Sequence, residues 1–171
     1  MKPLSVRSLF TIVLVLALSS GKSVAQQQSL REQLVGAWEL VSCDRTTASG
    51  AKQPYCVNSY GILILDASGR YAHMIGSRGR PKLTNNNRLD APAEEFKAAA
   101  QGFVANFGTW SVNERDRTIT RHYEGALFPN SEGRVGKMSV TLVGDELTLR
   151  DPNPPPDLDQ GQVVTVYRRV K

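Results

Sequence analysis

The chain has few of the residues on which most enzyme classes depend. Its 171 residues include only two histidines, His73 and His122, and two cysteines, Cys43 and Cys56. It contains no Gly-x-Ser-x-Gly elbow, no phosphate-binding loop and no dinucleotide fingerprint, which leaves out the common serine-hydrolase and nucleotide-binding designs. A metal centre would need more ligands than two imidazoles, and Glu124 is the one obvious third, so no metal and no cofactor is expected. Past residue 18 no apolar run is long enough to cross a bilayer, so no transmembrane segment follows the N-terminal region. The basic stretch Arg78, Arg80, Lys82 and Arg88 has no aromatic side chains interleaved for base stacking. It reads as a solvated loop, with no nucleic acid as partner.

The N-terminus explains most of the charge. Lys2 and Arg7 precede an almost wholly apolar stretch over residues 8–18; Ser19, Ser20 and Gly21 break it, and Ser23-Val24-Ala25 supplies small residues for cleavage. This is the layout of a secretory signal over residues 1–25. The formal net charge is +5, from 21 basic and 16 acidic residues. Lys2, Arg7 and Lys22 lie in the signal and no acid does, so 18 basic residues remain against 16 acidic ones, a balance of +2. A near-neutral mature chain gives no electrostatic argument for an anionic partner. Export to the periplasm or outside the cell puts Cys43 and Cys56 in an oxidising compartment, where they read as one disulfide. Closing a loop of that size is worth about 3 kcal/mol in the chain-entropy picture.

Residues 26–171 read as a single all-β domain; with 40% apolar residues the chain has enough to build a core. Ser29 and Glu32 have capping-box spacing for a short helix carrying Leu30 and Leu34, ended by Gly36. Period-two alternation then predicts strands over residues 37–43, 60–65, 70–75, 108–112, 117–124, 135–143, 146–150 and 163–170. Residues 44–54 and 76–90 read as loops. Asp90 is expected to cap a helix over about residues 92–105, with Phe96, Ala100, Phe103 and Phe107 as its apolar stripe. Eight antiparallel strands joined mostly by short turns close naturally into an up-and-down barrel, with a two-sheet sandwich as the alternative.

Several segments in this order resemble the bacterial and fungal lipocalin-like domain proteins. They are Gly36-Ala37-Trp38, Tyr60-Gly61-Ile62-Leu63-Ile64 with Asp66-Ala67-Ser68-Gly69-Arg70, Gly108-Thr109-Trp110-Ser111-Val112, residues 120–130, residues 144–149 and Tyr167-Arg168-Arg169. The resemblance implies a calycin-type barrel, with Trp38 packed at its closed end beneath Arg169 in a structural role. Two departures stand out. Ser131-Glu132 replaces a tryptophan expected soon after Pro129-Asn130, and the helix falls between the third and fourth predicted strands instead of after the eighth.

The expected function is binding of a small, largely apolar molecule in the lumen. Tyr71, His73, Trp110, His122, Tyr123 and Glu124 are the candidate ligand contacts. No catalytic residue is assigned. An alternative is a lumen-based isomerase, cyclase or hydrolase with His122 as proton shuttle and Glu124 or Tyr71 beside it. Another is an inhibitory or interaction module with a filled lumen, its loops at residues 77–90 and 127–134 facing a protein partner. The sequence identifies no such partner.

Overall fold

The computed structural model describes residues 28–47, 49–153 and 161–171. The expected signal sequence, residues 1–25, lies outside them. A short helix α1 (Leu30–Leu34) leads into β1 (Gly36–Thr47), β2 (Lys52–Pro54), β3 (Ser59–Leu65) and β4 (Arg70–Ser77). Helix α2 (Ala93–Gln101) precedes β5 (Phe103–Asn113) and β6 (Thr118–Ala126), then a 3-10 turn (Pro129–Ser131). Strands β7 (Val135–Val143), β8 (Glu146–Asp151) and β9 (Gly161–Arg169) complete the order.

All pairings are antiparallel, and β1 pairs with both β3 and β9, so β1 and β3 to β9 form a closed eight-stranded barrel. β2 is an additional strand on the distal half of β1, with Asp44 opposite Pro54. It falls inside the segment read from sequence as a loop, because its three exposed positions, Lys52, Gln53 and Pro54, carry no alternation to detect. Successive side chains along a strand point to opposite faces of the sheet, so inward positions recur every second residue. On β6 these are Ile119, Arg121 and Tyr123, with His122 and Glu124 on the outside.

One end of the barrel is solid. Leu30 and Leu34 of α1 plug it and join a core with Trp38, Leu63, Leu65, Trp110, Ile119 and Leu147. The capping box is present: Ser29 accepts from the Glu32 amide while the Glu32 carboxylate accepts from the Ser29 amide. A second carboxylate, Glu114 from the β5–β6 turn, accepts from the Leu30 and Arg31 amides at 2.8 and 3.0 Å. Four amides at a helix start lack partners within the helix, and these acids satisfy several of them.

The second helix differs from expectation at both ends. Its N-cap is Pro92, without a side-chain cap, and Asp90 does not serve. It stops at Gln101 because the Gly102 amide turns back to the Ala98 and Ala100 carbonyls and pairing with β4 begins, Phe103 opposite Gly76. Phe103 and Phe107 are therefore strand residues. The Phe107 ring lies where a side chain on Gly125 would have to go. The register between β5 and β6 shifts between Phe107 and Gly108, and a Cβ on Gly108 would collide with the His122 carbonyl oxygen. The β-bulge there requires glycine.

Candidate functional site

Away from the helical plug the barrel is hollow. A cavity of about 600 Å³ lies between the core and the open end, in the size range of small-molecule sites. Its mouth is formed by Tyr55, the Cys43–Cys56 disulfide, the end of α2 and the segment from Ala126 to Ser131. Ser131, where the resemblance leads one to expect a tryptophan nearby, is buried in the 3-10 turn and lines the cavity. Apolar side chains such as Ile75, Leu149 and Val163 make up much of the wall, while His73, Arg121, Tyr123 and Tyr167 form a polar floor.

These floor residues come from β4, β6 and β9, each placed inward by strand alternation. The His73 Nε2 lies 3.0 Å from the Tyr167 hydroxyl, and its Nδ1 lies 3.4 Å from the Asn106 amide nitrogen. With that amide donating to Nδ1, the proton sits on Nε2 and points at the Tyr167 oxygen. Burial, reinforced by the nearby Arg121 charge, holds the imidazole neutral and lowers its pKa to about 3. Burial likewise pushes the Tyr167 phenol up to about 12.

Arg121 carries the cavity's positive charge. It is only 6% exposed, and its Nη2 donates to the Tyr123 hydroxyl at 3.1 Å with the Met138 sulfur at 3.2 Å. Its Nε and Nη1 have no hydrogen-bond partner among the described residues. The guanidinium carbon stands 5.3 Å from the Tyr71 ring centroid and 5.5 Å from that of Tyr123, so two aromatic faces offset some of the cost of burying the charge. Burial opposes that charge, but Tyr123, Tyr167, Tyr71 and the Asp151 carboxylate outweigh it, and the pKa rises above the ordinary guanidinium value. Asp151 lines the same cavity without forming an ion pair with Arg121, and its Oδ1 accepts from the Asn153 amide.

The candidate residues read from sequence are divided among four places. His73 and Tyr123 line the cavity. Tyr71 is buried beneath Arg121, its ring edge-on to Tyr123 at 6.1 Å and its hydroxyl without a hydrogen-bond partner among the described residues. Trp110 belongs to the solid end, where its Nε1 donates to the Asp66 carbonyl and Arg31 covers its ring. His122 and Glu124 face solvent on the outside of β6, and Glu124 pairs there with Arg70 at 2.6 Å. Of the candidate contacts, His122 and Glu124 therefore do not join the polar floor, because the alternation of β6 turns its other face inward. The sequence reading passed over Arg121, although the pattern Ile119, Arg121, Tyr123 sets one charge on an otherwise apolar and aromatic strand face. At the closed end, Arg169 stacks over Trp38, its guanidinium carbon 4.1 Å from the ring centroid.

A closed eight-stranded antiparallel barrel, plugged at one end and hollow at the other, is a fold typical of small-molecule binding. The lipocalin-like domain family matches residues 35–170, and the chain belongs to that family. Among solved structures, fatty-acid-binding protein 1 of Echinococcus granulosus is similar at 13% identity. The match covers 82% of this chain and 99% of that one with a TM-score of 0.37. No curated protein matches the chain.

Proposed function

We propose that this protein is exported and carries a small, largely apolar molecule in its lumen. The cavity of about 600 Å³ is the observation that supports this reading most directly: much of its wall is apolar side chains, and it lies away from the helical plug. Burial of apolar ligand surface there contributes roughly 25 cal/mol per Å². The secretory layout of residues 1–25 supports export. So does the Cys43–Cys56 disulfide, which suits a periplasmic or extracellular setting. Among the described residues no helix is long and apolar enough to cross a membrane.

Native mass spectrometry of the protein purified from its own host tests the carrier role, together with titration of the neutral dye N-phenyl-1-naphthylamine. A co-purifying small molecule, or dye fluorescence saturating at one equivalent, is the expected result. Empty spectra combined with no dye binding overturn it. Intact-mass measurement of the secreted chain tests export, with a mature form starting at Gln26 expected. A chain retained inside the cell with residues 1–25 still attached contradicts it.

A further inference from the structure

Apolar walls alone do not account for the floor of this cavity. An arginine cannot shed its charge, and three of the N–H donors of Arg121, one on Nε and two on Nη1, meet no acceptor among the described residues. A buried charge left without an anionic partner is costly, and cavities usually avoid it. The other charged and titratable groups around it leave the position open. His73 is neutral, Tyr71 and Tyr167 keep their protons, and Asp151 forms no ion pair with Arg121 among the described residues and has one oxygen engaged by the Asn153 amide. Arg134 lies 5.6 Å from the Tyr123 ring centroid and donates to the Asn153 carbonyl; it does not line the cavity.

Resting on the carrier reading above, we infer that the lumen takes an amphiphile with a carboxylate head, seated on the free N–H groups of Arg121 with its apolar tail toward the mouth. One unpaired guanidinium matches one negative charge. A doubly charged phosphate would leave excess charge buried beside Asp151, whereas a neutral head would leave the guanidinium unpaired. The polarity of the site fixes the orientation. The charged partner is at the floor among His73, Tyr123 and Tyr167, and the apolar side chains Phe103, Val104, Leu127 and Phe128 are at the mouth.

The test compares decanoate with decanol as competitors of N-phenyl-1-naphthylamine, using the mature protein. A hydrogen bond to a charged group is worth about 1.5–3 kcal/mol, or roughly tenfold to a hundredfold in affinity. Decanoate is expected to displace the dye at least about tenfold more tightly than decanol, and Arg121→Met should abolish that preference while still binding dye and decanol. Equal displacement by the two compounds in the wild-type protein overturns the carboxylate inference and leaves the carrier reading intact. Failure of dye, decanol and decanoate alike overturns the carrier reading itself. If Arg121→Met does not fold, carbon-13 NMR of carboxyl-labelled decanoate bound to the wild-type protein decides the matter. On Arg121 the head stays ionised to below about pH 4, since an adjacent cation lowers a carboxyl pKa. A bound head that takes up its proton above the pH at which free decanoate does so contradicts the inference.

Discussion

Arg169 sits over the Trp38 ring, its guanidinium carbon 4.1 Å from the centroid, and at the same time ties down the end of the helical plug. Its Nη1 donates to the Val35 carbonyl at 3.1 Å and its Nη2 to the Gln33 carbonyl at 2.5 Å, while the Trp38 indole donates to the Leu34 carbonyl at 2.9 Å. The last three carbonyls of the α1 segment are thus satisfied by two side chains from the closing pair of strands. Arg169→Ala removes a stack and two charge-assisted bonds, and a loss of about 2–4 kcal/mol is expected from urea unfolding. Arg169→Lys should recover less than half of it, because an ammonium cannot lie flat on the indole and reach both carbonyls. Full recovery by lysine would show that charge alone matters here.

The Cys43–Cys56 bridge links β1 to the segment just after β2, thirteen positions along. Replacing both cysteines with serine is expected to lower stability by about 3 kcal/mol and to increase hydrogen exchange in β2 first. Unchanged unfolding midpoints with and without reductant would contradict a stabilising role for the bridge.

Gly108 should accept no side chain. A Cβ there meets the His122 carbonyl across the bulge, and that backbone is held by β5–β6 pairing on both sides. Gly108→Ala is expected to cost more than about 2 kcal/mol, whereas Gly144→Ala meets no neighbour and costs only the strain of its positive φ. Thermal melts of the two variants side by side check the order.

His73 gives the fold a definite acid response. Its folded pKa is near 3, against 6.5 for the ordinary group. The unfolded chain therefore takes up a proton as pH falls below 6.5 while the folded chain does not. The stability associated with the neutral imidazole is complete above that pH and is lost toward pH 3, at up to about 1.4 kcal/mol per unit. His73→Gln should flatten the profile of unfolding free energy between pH 6 and 4 relative to wild type. Parallel profiles for the two proteins would mean that His73 has the same pKa in the folded and unfolded chain.

The barrel was largely legible in the sequence because a half-buried strand declares itself every second residue. Ile62 to Leu65 and Val140 to Leu149 alternate or run apolar over lengths that local statistics detect. What escaped were features set by long-range contacts. Phe96 and Phe103 share a helical spacing, yet Gly102 and the pairing of Phe103 with Gly76 end the helix between them. The floor of the cavity was harder to read, because choosing between the two faces of β6 requires knowing which face the neighbouring strands enclose. His122 and Glu124 attract attention as chemistry, but Arg121 lies on the enclosed face.

The pairing of β1 with β9 also has a kinetic consequence. Trp38 is opposite Arg169, so the barrel's seam joins the two ends of the folded sequence. Until β9 arrives, the growing sheet carries two open edges, at β1 and β8, and the cavity has no complete wall. Contacts this distant along the chain make folding slow and leave the nascent sheet exposed to unwanted strand pairing. The cavity wall is therefore complete only once β9 has paired with both β1 and β8.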